Sequence, residues 1–292
     1  MNINLKNNIS CMNKHIYHIL VLFVVTSTLL VGCGHNSTNK IGAFQFTSLQ
    51  VDKTSHLFAD DTKPACQLIM DITYVKQSSD DSLKDSINNY IKSFCLGDRY
   101  ITMPIQQAIQ SYADNYISNY KNDLEPMYQK DEQENEDSNT LKAWYSYYQK
   151  IHGKVQRYTN NLFTYCSQFE EYTGGAHGIY MTYFLNIDLK TMTPIRLEDL
   201  FVEDYKEQVT DLLWNQLMMD KQATTRKELE DMGYVTIGEL EPTDNFYLTE
   251  NGISFFYNVY DIAPYAVGAI EITLPYEMLS HLLSDNFEVI KQ

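Results

Sequence analysis

The chain has 292 residues, 44% of them apolar, which is enough for a packed core. It carries 22 basic and 38 acidic residues, a formal charge of -16, which argues against nucleic acid because phosphates need a basic face. The same surplus allows attraction to cationic partners, although it serves solubility equally well.

Residues 1–15 contain Lys6 and Lys14 and no acid. The apolar run that follows is dense from Ile19 to Val25 and continues through Leu29, Leu30 and Val31. It is shorter than the roughly 20 residues a membrane span wants. A basic flank, a short apolar stretch and small residues at the exit read as a secretory signal over 1–32. The exit, Leu30-Val31-Gly32-Cys33, resembles the bacterial lipobox. That resemblance implies acylation of Cys33, which would hold the chain firmly only with its full set of acyl chains. The expected location is the bacterial cell envelope, outside the cytoplasm. Loss of Lys6 and Lys14 takes the formal charge to about -18. Cys66, Cys95 and Cys166 then remain. An exported compartment permits one disulfide among them, and buried free thiols fit as well. None has metal-ligand spacing.

In chain order, Gly34 to Lys40 is a polar tether, and 33–59 as a whole reads as tether and N-terminal extension. Leu68, Met70, Ile72 and Tyr74 alternate as a strand does. Asp80, Asp81 and Ser82 cap a helix with Leu83, Ile87, Tyr90, Ile91 and Phe94 on one face, and Gly97 ends it. Ile105, Ile109, Tyr112 and Tyr116 carry a second helix, which fades near Pro126. The acidic run from Asp131 to Asp137 reads as a solvated loop or helix face. Leu141 to Tyr148 is aromatic-rich and reads as helical. Leu162–Phe169 and Tyr180–Leu189 read as strands, the second closed by Thr191 to Pro194. A long amphipathic helix is expected over Leu197–Asp220, and Gly233 caps a short one after it. Glu250-Asn251-Gly252 between Phe246–Thr249 and Ile253–Tyr257 is a strong hairpin signal. Ala269–Leu274 is a further strand, and Tyr276–Leu283 a closing helix. Strands and helices are segregated, so the expected class is α+β, with antiparallel sheets and packed helices in two adjoining subdomains, 60–190 and 191–292.

Two stretches stand out as candidate sites. In Tyr172-Thr173-Gly174-Gly175-Ala176-His177-Gly178, glycines permit positive φ and close backbone approach, and His177 brings a titratable ring. The segment reads as a gripping loop or as a tight turn in which His177 bonds a carbonyl. The second stretch runs from Tyr257 to Gly268. Its tyrosines, Tyr265 among them, suit a recognition surface, while Asp261 suits a cap for backbone amides. No phosphate loop, nucleophile elbow or metal-binding pattern occurs, so no cofactor or metal is expected.

These stretches carry a resemblance. "YTGGAHG", then "YFLNIDLKTMTPIRLEDLF" and "FFYNVYDIAPYAVGAIEITLPYEML", is similar to the extracytoplasmic module of the RsiV anti-sigma factor and the PdaC deacetylase, over roughly Asp60 to Leu283. The resemblance implies an α+β fold of two adjoining domains of unknown function in an envelope location. In the RsiV type the module is a receptor for lysozyme; in the PdaC type deacetylation belongs to a separate domain. Neither a sigma-factor-binding segment nor a deacetylase domain is expected here. The expectation is a non-enzymatic binding module for a lysozyme-like cationic protein or for cell-wall glycan (peptidoglycan), with Tyr172, Gly174, Gly175, His177, Gly178, Asp261 and Tyr265 as binding residues. An envelope hydrolase using His177 with a carboxylate is the alternative.

Overall fold

A six-stranded sheet forms the larger half of the protein. The computed structural model describes residues 43–134 and 138–287. The signal, Cys33 and the tether lie outside the described residues. Strands β1 (Gln45–His56), β2 (Ala65–Gln77), β3 (Tyr147–Tyr158), β4 (Leu162–Tyr172), β5 (Ile179–Asp188) and β6 (Thr193–Pro194) lie in that order across the sheet. β2 and β3 pair in parallel and the other neighbours antiparallel. The connection between β2 and β3 carries helices α1 (Asp81–Leu96), α2 (Ile105–Gln133) and α3 (Ser138–Tyr145). Leu68, Met70, Ile72, Phe163 and Tyr165 point toward α1 and α2 and form one core with Ile87, Ile91, Ala108 and Ile109. The strand period of two sends the alternate residues to the opposite face.

The second half packs α5 (Tyr205–Lys221) and the shorter helices α4 (Leu197–Leu200), α6 (Arg226–Asp231) and α7 (Tyr276–Leu279) against an antiparallel sheet. Its strands are β7 (Phe246–Leu248), β8 (Gly252–Tyr257) and β9 (Ile270–Pro275). The two halves meet along the outer edge of β5, which asparagine side chains satisfy in place of another strand. Asn258 Oδ1 accepts from the Thr182 N–H at 2.7 Å, and Asn245 Oδ1 accepts from the Phe184 N–H at 2.9 Å. Asn245 also donates to the Thr182 carbonyl, and Asn186 donates to that of Phe246. Each carboxamide carries N–H donors and a carbonyl acceptor, so it can replace a peptide group, and Asn245 donates to the Phe256 carbonyl as well. Phe184 stacks on Tyr247 beside these bonds, with ring centres 4.4 Å apart.

The α+β class stands, with helices packed on sheets in two adjoining domains. Several elements differ from the sequence reading. β1 lies in the expected N-terminal extension, and β3 in a stretch left partly helical; both carry many polar residues because one side of each is uncovered. α2 does not fade at Pro126 but runs to Gln133. Pro126 is exposed, so the carbonyl it leaves unpaired faces water, and Leu124 and Tyr128 are buried on either side of it. The helix expected over Leu197–Asp220 is two helices. Val202 N donates to the Leu282 carbonyl at 2.8 Å, Ser284 N donates to that of Leu200 at 2.8 Å, and Asp204 sits at φ 64°, which turns the chain between them. The same contact ends α7 early. The acidic run is split: Asp131–Gln133 end α2, and residues 135–137 lie outside the described residues. Cys66, Cys95 and Cys166 are free thiols.

Candidate functional site

The glycine loop owes its shape to its residue types. Gly174 and Gly175 sit at φ 88° and 99°. A Cβ at Gly174 would stand 2.8 Å from the Trp144 carbonyl oxygen. Gly178 has ordinary φ but no room: a Cβ there would stand 2.7 Å from the Glu171 carbonyl and 2.8 Å from the Tyr148 hydroxyl. Tyr172 donates to the Gly175 carbonyl at 2.9 Å and stacks on Tyr148 at 6.0 Å. The loop is therefore folded back on β3 and the end of α3.

The tyrosine corner is built by its own polar residues. Asp261 accepts from the Asn258 N–H at 2.6 Å, which is the amide-capping role. Asn258, 5% exposed, pins the corner to Thr182 of β5. Tyr260 adopts φ 72°, a left-handed conformation that costs a β-carbon residue roughly 1–2 kcal/mol. It remains 48% exposed, so burial does not offset that cost. Strain of this kind concentrates where a side chain must be presented.

Loop and corner meet. The His177 ring stacks on Tyr265 with centres 4.2 Å apart and planes 26° from parallel. Its Nε2 lies 3.4 Å from the Tyr260 hydroxyl, and its Nδ1 lies 2.9 Å from the Gly178 carbonyl. Tyr180 packs edge-on against Tyr265 at 5.6 Å, and Tyr260 lies 5.7 Å from it. Tyr172, Gly174, Gly175, His177, Gly178 and Tyr265 thus belong to one exposed surface. Asp261 supports it from the corner, and Cys33 lies outside the described residues.

Four residues of this surface had not been selected from the sequence: Trp144, Tyr148, Tyr180 and Tyr260. Trp144 is 65% exposed beside Gly174. The available signal was the concentration of aromatic residues at Trp144–Tyr148 and along Tyr257–Tyr265. Tyr180 also lines a depression of about 260 Å³ on the uncovered face of the large sheet, with Asp71, Lys150, His152, Glu170 and Thr182. There Lys150 pairs with Glu170 at 2.7 Å, and His152 lies 3.9 Å from Asp71. Lys150 also hangs over the Tyr148 ring at 5.4 Å, so depression and aromatic cluster are continuous.

An α+β module, with two halves joined along β5 and an aromatic surface at the junction, is the class these features define. The sequence model described as "Deacetylase PdaC" matches residues 60–180, and that described as "Protein of unknown function (DUF3298)" matches 198–277. A solved DUF3298 member from Bacteroides fragilis is 51% identical, with a TM-score of 0.82 over 86% of this chain and 97% of that one. A DUF3298 protein from Pseudomonas aeruginosa shares the fold alone, at 14% identity and a TM-score of 0.57, over 83% of this chain and 96% of its own. No curated protein matches the chain significantly. The chain belongs to the DUF3298 family, with a PdaC-type domain preceding the DUF3298 domain.

Proposed function

We propose that this chain is a lipid-anchored envelope protein that binds a ligand at the aromatic surface and does not transform it. The observation that carries the reading is the His177–Tyr265 stack. It joins two segments that are far apart in sequence into one exposed surface, and both bear costly conformations. Gly174 and Gly175 take positive φ, and so does Tyr260, which keeps its ring in solvent. Such features fit presentation to a partner.

The same geometry favours binding over hydrolysis. The ring nitrogens of His177 meet a carbonyl and a tyrosine hydroxyl, and no carboxylate is among these partners in the described residues. A general base is ordinarily oriented by such an acid.

The ligand is cell-wall glycan, or a lysozyme-like cationic protein. The second class is suggested only by the charge of the whole chain, an excess of 38 acidic over 22 basic residues. Acylated Cys33 would hold the domain at the membrane, within reach of either.

The test is retention of purified full-length protein, in detergent, on peptidoglycan sacculi and on immobilised lysozyme. Retention on one of them, lost in His177→Ala and Tyr265→Ala, is the expected result. Retention on neither ends the reading. In parallel, a fatty-acid probe should label the wild type and not Cys33→Ser; equal labelling of both removes the anchor.

A further inference from the structure

The charge of the whole chain points to a cationic partner, but the charge at the site does not. On the uncovered sheet face the carboxylate of Glu170 already has a cationic neighbour, and that of Asp71 lies among polar side chains. Lys150 Nζ holds Glu170 at 2.7 Å, and His152 Nδ1 lies 3.9 Å from Asp71. Gln50 also donates to Asp71, at 3.3 Å. A lysine or arginine arriving from a protein would have to compete with these neighbours. Complementarity needs a patch of one sign, and this patch carries both.

Paired charges still leave hydrogen-bonding capacity. A carboxylate holding one cation can accept further bonds, and an ammonium has three donors. Gln168 and Thr182 add neutral groups beside them. Such an array suits an uncharged ligand that bears many hydroxyls, each both donor and acceptor.

The rings supply the other half of the argument. Trp144, Tyr180 and Tyr260 are 65%, 38% and 48% exposed. Flat exposed rings offer apolar area at low entropic cost. The axial C–H groups of a pyranose form an apolar face that lies flat on such a ring, while its equatorial hydroxyls reach the polar groups around it. Tyr180 belongs to both parts: it lines the depression and packs edge-on against Tyr265. The depression, about 260 Å³, is just below the common range for compact small ligands, roughly 300–1,000 Å³. It takes one ring of a chain, with neighbouring rings lying along the aromatic surface.

We infer that this site binds an uncharged chain of pyranose sugars, with Tyr180 and Tyr260 as stacking rings held in place by the His177–Tyr265 stack, and the Lys150–Glu170 pair as hydroxyl partners. The inference rests on the binding reading above and selects the glycan as its ligand.

The test uses full-length protein in detergent, with a soluble β-1,4-linked N-acetylglucosamine tetramer as probe, followed by calorimetry at low and high salt. The proposal expects binding that changes less than about twofold with salt, because no net charge is neutralised. Tyr180→Ala and Tyr265→Ala should each weaken it about tenfold, a loss of about 1.4 kcal/mol. Tyr180→Phe should keep most of the affinity, since the ring does the stacking. Circular dichroism of each variant, matching the wild type, separates lost binding from lost folding. Tetramer binding that both alanine variants leave intact overturns the site. No tetramer binding, together with salt-sensitive retention on lysozyme, overturns the sugar assignment and leaves the binding module standing. No retention on tetramer, sacculi or lysozyme overturns both.

Discussion

The six-stranded sheet has two faces made by the same strands, and they differ in what covers them. Toward α1 and α2 it presents Leu68, Met70, Ile72, Phe163 and Tyr165, all nearly inaccessible. On the other side it presents Gln50, Asp71, Lys150, His152 and Glu170, with Gln50 bonded to Asp71 and Lys150 to Glu170 across the strands. The first face is fixed by burial, at about 25 cal/mol per Å² of apolar area. The second contributes little to stability, since exposed ion pairs are worth about 0–1 kcal/mol. Its residues are free to serve a ligand, and the glycine loop and tyrosine corner stand where this face ends.

The largest expected effect separates the faces most sharply. Phe163→Ala, on the helix side, should cost about 3–5 kcal/mol in chemical denaturation, the usual range for a buried phenylalanine. A loss under about 1 kcal/mol would mean the helix side is not the core described above.

Gly174→Ala should come next. The added methyl would meet the Trp144 carbonyl in a backbone conformation that β-carbon residues avoid. A loss of roughly 1–3 kcal/mol is expected, with weakened ligand binding. Full stability in that variant would contradict the loop geometry.

Alkaline pH probes the covered face through its buried acids. Burial pushes the Cys66 and Cys95 thiols up from 9.0, to about 11 and about 12. Burial likewise raises Tyr112, from 10.0 to about 12. In the unfolded chain these groups ionise at their ordinary values, so the unfolded state gives up its protons first. Stability from this source is complete below about pH 9 and declines as pH climbs toward the folded-state values. The melting temperature should therefore fall between pH 9 and 11, and Cys66, which is fully buried, should resist alkylation until the protein unfolds. A flat profile would contradict the burial of these groups.

The smallest effects on stability fall on the open side. Lys150→Ala should change stability by less than about 1 kcal/mol. Tyr260→Gly should leave the protein as stable or up to about 1 kcal/mol more stable, by relieving the left-handed backbone, while its binding falls. A protein that loses both stability and binding there would make Tyr260 part of the scaffold.

Much of the covered face was legible in the sequence. The alternation of Leu68, Met70, Ile72 and Tyr74 and the spacing of Ile87 and Ile91 each report burial on one side. β1 and β3 were missed because their outward residues are polar, so only half of each strand carries a signal. The end of α2 was misplaced because Pro126 is harmless on an exposed side, and exposure is a tertiary fact. The break between α4 and α5 comes from contact with residues 282–284, which no local pattern records. At the site, glycine spacing and tyrosine content marked both segments, and Asp261 as a cap was readable. That the two segments meet, and that Tyr180 joins them to the open face, follows from the asparagine bonds along β5. Those bonds join residues about 60 to 76 positions apart.

The claim on which the account turns is that loop and corner form one binding surface. Trp144 can report on it, because it is one of two tryptophans, its backbone carbonyl abuts the loop at Gly174 and its side chain is exposed. Trp214→Phe makes it the sole tryptophan. Titration of that variant with the N-acetylglucosamine tetramer should change Trp144 emission saturably, and Tyr265→Ala in the same background should abolish the change. Emission that stays constant while calorimetry records tetramer binding would contradict the account, because the ligand would then occupy some other part of the molecule.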